Sequence, residues 1–157
     1  MPAMIEVATI IDAGTATVFD LELDVDVHAD SLARSGETAA TADGRRRLGP
    51  GDEVTFRASH FGVKWRMTSQ VTAYDRPAHF VDEQTRGPFR EMRHEHNFED
   101  LGNGRTRMVD RMAIRAPGGP LGAIVTRLLL APYLKRLLIR RATHIKRLAE
   151  TAGRRDP

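Results

Sequence analysis

A change of period constrains this chain most. From Glu53 to Arg115 apolar residues recur at alternate positions in a series of short runs; from Leu121 to Leu148 they recur at helical spacing. The run Glu53–His60 sets Val54, Phe56 and Ala58 against Glu53, Thr55 and Arg57. Val63–Tyr74 sets Val63, Trp65, Met67 and Val71 against Lys64, Arg66, Thr68 and Gln70. Two further strands, His79–Arg86 and Phe89–Glu99, hinge at Gly87-Pro88, and Asn103-Gly104 turns the chain into a last strand, Arg105–Arg115. Phe61-Gly62 and Asp75-Arg76-Pro77 supply the other reversals. The helical stripe is Leu121, Ile124, Val125, Leu128, Leu134, Leu137, Leu138, Ile145 and Leu148. Pro132 lies inside it and predicts a kink or a short break.

Ahead of these runs, Ile5–Ile11 reads as a strand. A short helix follows Gly14-Thr15, with Val18, Phe19, Leu21 and Leu23 as its apolar contacts. Asp24 or Asp26 caps a second short helix reaching about Arg34, and Gly36–Ala42 is a weak strand. An antiparallel sheet with one apolar face must cover that face, and the C-terminal helix is the only element large enough to do so. The expected class is α+β: a curved antiparallel sheet of about seven strands around a long C-terminal helix, with two short helices after the first strand. Residues 1–152 form a single domain and 153–157 a short tail. The space between a curved sheet and its helix is a natural pocket.

Composition narrows the class further. The 157 residues are 41% hydrophobic and 29% charged, which excludes a disordered chain and one that spans a bilayer. With no cysteine, disulfides, thiolate metal sites and cysteine nucleophiles are excluded. Met1–Glu6 lacks the basic and apolar regions of a signal peptide, so a cytoplasmic location is expected. Residues 127–157 hold nine basic side chains against Glu150 and Asp156, so a net charge of +3 leaves the remainder acidic. Such a segment is read as a solvated helix face, with a membrane surface, nucleic acid or acidic partner as alternatives. Tyr133 is its one aromatic, which argues against a nucleic-acid partner.

Several strings resemble a known superfamily: Gly51-Asp52-Glu53-Val54-Thr55, His60-Phe61-Gly62, Tyr74-Asp75-Arg76-Pro77, Phe80-Val81-Asp82-Glu83-Gln84, Gly87-Pro88-Phe89 and His94-Glu95-His96-Asn97-Phe98. Over roughly residues 3–150 the chain resembles the START/Bet-v-like (SRPBCC) superfamily, and more narrowly its bacterial polyketide cyclase/dehydrase-like, ligand-binding branch. The resemblance implies a helix-grip fold with a hydrophobic cavity. It leaves function open, because that superfamily spans lipid carriers, hormone receptors, aromatase/cyclases and quinone-binding proteins.

Strand parity picks out the residues that face the helix. Arg107, Arg111 and Arg115 must be wet, so Met108, Asp110, Met112 and Ile114 point inward. The same rule turns inward Met92, His94, His96 and Phe98, then Phe80, Asp82 and Gln84, then Phe56, Ala58 and His60, and finally Trp65, Met67 and Ser69. The candidate ligand-binding set is therefore His60, Trp65, Met67, Asp82, Gln84, Met92, His94, His96, Phe98, Met108, Asp110 and Met112, with His94, His96 and Asp110 as catalytic candidates if the protein is an enzyme. So many inward polar groups must hydrogen-bond one another, water or a ligand. A structural His–Asp network and a recognition cluster remain open alternatives. His94-x-His96 also has metal-ligand spacing, but no metal or cofactor is expected. Neither Ser59 nor Ser69 has a partner for a hydrolase triad, and Gly102-Asn103-Gly104 precedes no helix that would make it a phosphate loop. His28 either caps the cavity mouth or is a lone surface histidine, the latter preferred. Arg45, Arg46 and Arg47 either border the entrance or are a solvated loop.

Three functions follow. The first is a binding or carrier protein for an apolar, partly oxygenated small molecule. The alternative is a cyclase/dehydratase-type enzyme acting on a polyketide-like substrate, with a His–Asp pair as acid and base. The third is a membrane-surface or quinone-binding protein. Membrane contact is possible but not expected, because the apolar stripe is needed by the sheet; oligomeric state is left open.

Overall fold

The computed structural model describes residues 1–155. The chain runs β1 (Ala3–Ile11), α1 (Thr15–Glu22), α2 (Val25–Ser31), a 3-10 turn (Ala33–Ser35) and β2 (Thr38–Ala40). Then come β3 (Glu53–His60), β4 (Val63–Asp75), β5 (His79–Arg86), β6 (Glu91–Gly102) and β7 (Arg105–Arg115). It closes with α3 (Gly119–Val125), a π-helical turn (Thr126–Leu130) and α4 (Ala131–Gly153). The seven strands form one antiparallel sheet in the order β1-β7-β6-β5-β4-β3-β2, gripping α4 on its concave face. This is the helix-grip fold. None of the described helices is long and apolar enough to cross a membrane.

The weak strand shrinks to Thr38–Ala40, since threonine and alanine offer little apolar area there. Asp24 is the cap of α2, accepting from the Val27 N–H at 3.0 Å, and α2 ends at Ser31, short of Arg34. β4 bulges between Val71 and Ala73. The extra residue switches the inward face from odd to even numbers, so Tyr74 joins Phe80 and Phe98 around Phe19 of α1 with ring centroids 5.3–5.4 Å from it. α1 thereby roofs one half of the sheet and leaves the other half open to a cavity. α4 runs through Gly153, and the expected tail residues Asp156 and Pro157 lie outside the described residues.

The helical stripe is not one face. Leu137, Leu138 and Ile145 are buried against the sheet, whereas Leu121, Ile124 and Leu128 are 70%, 54% and 70% exposed. Two local causes correct the expectation that the whole stripe serves the sheet. Gly122 sits so close to the β7–α3 loop that a Cβ would lie 2.1 Å from the Pro117 carbonyl oxygen. Thr126, one turn on, accepts from the Ala116 N–H at 3.1 Å and donates to the Gly122 carbonyl at 2.7 Å. α3 thus buries its small residues and turns its large ones outward. The π turn then adds a residue before α4 and rotates the faces of the two helices apart. It lies directly before Pro132, which has no N–H to give and crowds the carbonyl one turn back, so the expected break falls just upstream of the proline.

Replacing Leu137 or Leu138 by Ala should cost roughly 2–5 kcal/mol in chemical denaturation. Leu128→Ala should cost under about 0.5 kcal/mol, since that side chain buries little; equal losses at all three positions would contradict this division.

Candidate functional site

A cavity of ≈ 150 Å³ lies between the concave sheet and the first turns of α4. Phe56, Ala58, Trp65, Met67, Met92 and Met112 wall it from the sheet; Leu130, Tyr133, Leu134, Leu137 and Leu138 close it from the helix. Among this apolar lining stand His28, Glu37, His60, Asp82, His94 and Arg141.

Register brings the polar groups together. Asp82 on β5 faces His94 on β6, and His96 faces Asp110 on β7. Side chains lean along the strands, so each histidine also reaches the other pair's acid. His96 Nε2 donates to Asp82 Oδ1 at 2.8 Å, and its Nδ1 is 3.0 Å from Asp110 Oδ1 and 3.6 Å from Glu22 Oε2. His94 Nε2 donates to Asp110 Oδ1 at 3.1 Å, and the two imidazole centroids are 3.8 Å apart. From α4, Arg141 donates to Glu22 Oε2 at 2.7 Å and to the Glu22 carbonyl at 3.3 Å. The network therefore ties sheet, α1 and α4 together.

Its charge states follow from burial and proximity. Burial disfavours a charged His96, but Asp110 and Asp82 against its two nitrogens outweigh that and raise its pKa to about 9. Burial likewise opposes a charged Asp82, yet the His96 hydrogen bond and the cations around it bring its pKa to about 2. Asp110, also buried, is held far below the carboxylate range by His94 and His96. Burial, helped by the neighbouring His96 cation, lowers His94 despite its bond to Asp110. His96 is thus the imidazolium and His94 the neutral imidazole. With Nε2–H bound to Asp110, the lone pair of His94 resides on Nδ1, which no described residue hydrogen-bonds.

Two further pairs lie on the cavity wall. His28 stacks on Phe56 at 4.3 Å, and its Nε2 is 3.1 Å from Glu37 Oε1. Burial pushes Glu37 up to about 7 and His28 well below the usual histidine value. His60 Nδ1 and the Tyr133 hydroxyl are 2.6 Å apart, and Trp65 Nε1 donates to the His60 carbonyl at 2.9 Å.

Of the residues expected from sequence, His60, Trp65, Met67, Asp82, Met92, His94 and Met112 line the cavity. The other five do not. His96 and Asp110 form a layer beneath it, because α1 with Glu22 lies over them. Phe98 and Met108 belong to the core around Phe19, and the Gln84 amide is taken up by the backbone of Phe89. His28 is a correction: the 3-10 turn and β2 bring Glu37 against it, so it is a cavity residue and not a surface one. Arg45, Arg46 and Arg47 pair with Asp52, Asp26 and Asp20 and stay away from the cavity. Sequence reasoning missed Glu22, Glu37, Tyr133 and Arg141. Only Arg141 had left a signal, lying one turn from Leu137 and Leu138 and one from Ile145 on the buried stripe.

The profile of the family described as polyketide cyclase/dehydrase and lipid transport matches residues 2–150. The chain belongs to that family. No curated protein sequence matches it. Among solved structures, the Zhui aromatase/cyclase from Streptomyces sp. R1128 is similar at a TM-score of 0.77 and 19% identity, covering 96% of this chain and 94% of that one. A START superfamily protein from Mycobacterium smegmatis gives 0.67 and 14%, covering 95% and 98%. Ginseng major latex-like protein 151 from Panax ginseng gives 0.65 and 11%, covering 94% and 97%. At these identities the likeness is one of fold. The family and fold make the chain an SRPBCC ligand-binding or polyketide cyclase-like protein.

Among the described residues, Asp82, His94 and His96, or Glu22, His96 and Asp110, bring ligand atoms within 4.8 Å of one another and could hold a metal. A divalent ion in either would displace the His96 proton, and in the second it would also face the Arg141 guanidinium.

Arg141→Leu should destabilise the fold by roughly 3–5 kcal/mol, because it strands a buried Glu22. Arg141→Leu with Glu22→Leu should regain most of that loss; a double variant no better than the single one would mean the pair is not the cause. The raised pKa of His96 gives a second expectation. Its stabilisation is complete below the ordinary value of 6.5 and is lost as pH rises through about 9. Urea denaturation should show stability falling by on the order of 1–3 kcal/mol between about pH 7 and about pH 9.5. A flat profile would remove the imidazolium from the network.

Proposed function

We propose that the protein binds an apolar, partly oxygenated small molecule in the cavity, with its oxygen-bearing end at His94, Asp82 and Arg141. The observation that carries this reading is the division of the lining: aromatic, methionine and leucine walls, with Asp82, His94 and Arg141 of the buried charge network reaching the cavity. Methionines at positions 67, 92 and 112 give an adaptable wall. A cavity of ≈ 150 Å³ is the size that takes a single-ring ligand. A polyketone long enough to fold on itself is larger, which favours binding over cyclisation. No metal or cofactor is part of this proposal, and a cytoplasmic location is.

One observation favours a second reading, a cyclase/dehydratase-type enzyme. His94 lines the cavity as a neutral imidazole with Asp110 hydrogen-bonded behind it, which is the arrangement of a general base acting on a carbon α to a carbonyl. Asp110 would hold the ring and stabilise the imidazolium that forms.

Trp65 is the only tryptophan and lies on the cavity wall, so its fluorescence reports occupancy. Titration with a panel of substituted phenols should give saturable changes, abolished by Ala58→Phe, which fills the cavity. Native mass spectrometry should show an organic adduct and no stoichiometric zinc. No saturable change with any member of the panel would overturn the binding reading. Loss of the α-proton signals of a β-diketone in deuterated buffer, faster with the native protein than with His94→Gln, would establish the enzyme instead.

A further inference from the structure

The outward face of α3 and the π turn has no partner within the chain. Leu121, Ile124, Leu128 and Leu129 are 54–70% exposed there, and Val125 is exposed beside them. The strip continues without interruption to the cavity, because Leu130 and Tyr133 line it and Phe61, itself 60% exposed, packs on Tyr133 at 4.5 Å. Val63, the first residue of β4, is exposed as well.

Charge distinguishes the possible occupants of this face. Three segments flank the cavity mouth: residues 61–66, 85–90 and 116–136. Together they contain Lys64, Arg66, Arg86, Arg90, Arg127, Lys135 and Arg136 and no acidic residue. None of these seven forms an ion pair among the described residues, which is also true of Arg34, Arg57, Arg140 and Arg147; what marks this rim is seven cations with no acid among them, whereas the arginines of the loop after β2 and of β6 and β7 are paired. A second copy docked face to face would bring two such clusters together at the cost of like-charge repulsion. Phe61 is the one strongly exposed aromatic on the strip among the described residues, too few to stack successive nucleic-acid bases. An apolar strip rimmed by unpaired cations complements a lipid surface with anionic headgroups, where leucines enter the acyl boundary and basic side chains meet phosphates.

We propose that the protein docks on anionic bilayers through the outward face of α3 and the π turn, with the cavity mouth at the bilayer. This goes beyond ligand binding and stands or falls separately from it. It gives an apolar ligand a way into the cavity that does not cross bulk water.

Co-sedimentation at physiological ionic strength tests the proposal, with mixed phosphatidylcholine–phosphatidylglycerol vesicles against phosphatidylcholine alone. The protein should pellet with the mixed vesicles and bind the neutral ones at least about tenfold more weakly. Leu128→Gln with Leu129→Gln should weaken binding to mixed vesicles by about tenfold or more, as should Arg127→Gln with Lys135→Gln. Arg45→Gln with Arg46→Gln, on the far loop, should change nothing. All these side chains are exposed, and unaltered thermal unfolding would confirm that the variants fold. Absence of pelleting by the native protein, or binding indifferent to the leucine pair, would overturn the proposal. So would a dimer in sedimentation velocity that the leucine variant dissolves, because the face would then belong to a second copy.

Discussion

Arg141 projects from the buried face of α4 toward a sheet that carries two inward carboxylates, Asp82 and Asp110, and the rest of the architecture answers that placement. A guanidinium taken out of water must be paired, and Glu22 at the end of α1 pairs it at 2.7 Å. Glu22 can be buried only because Arg141 and the His96 cation lie beside it. His96 stays charged because its Nε2 donates to Asp82 and the Asp110 carboxylate lies 3.0 Å from its Nδ1. Burial still pushes the Glu22 carboxyl up, with Arg141 and the His96 cation opposing that shift. The chain of contacts passes from α4 to α1, β6, β5 and β7, so the angle at which the helix sits in the sheet is tied to the pairing.

That network divides the interior into two unequal parts. On one side Phe19 gathers Tyr74, Phe80 and Phe98 into a filled aromatic core. On the other, where α1 does not reach, methionines, Trp65 and the leucines of α4 stand apart and enclose the cavity. The polar end of that cavity is the upper surface of the network. Its polarity is thus a by-product of holding the helix, and its chemistry, a neutral His94 above a charged Asp110, is set by which histidine holds the proton.

The entrance has a different origin. Pro132 cannot continue an α-helical ladder through the preceding turn, and the chain resolves this with the π turn at Thr126–Leu130. Gly122 and Thr126 dock α3 by small contacts, so its large side chains face away from the core. The same break that ends the sheet-facing stripe therefore creates an unpartnered apolar strip at the cavity rim.

The order of elements, the class and the inward parity of β3, β6 and β7 were legible in the residues alone, because the pleat alternates strictly and a charged face must be wet. His94, His96 and Asp110 could be named as inward groups for that reason. Their roles could not, since His94 and His96 have the same parity and differ only in what α1 lays over them. Glu37 and His28 were illegible because their contact depends on a 3-10 turn and a three-residue strand with almost no pattern of their own. The stripe after Pro120 misled for a related reason: periodicity assumes an unbroken helix, and one additional residue in a turn redirects every side chain on one side of it. Local sequence determined which residues alternate and which carry charge. Tertiary packing alone decided which of them meet, because burial and pairing are properties of neighbours distant in the chain.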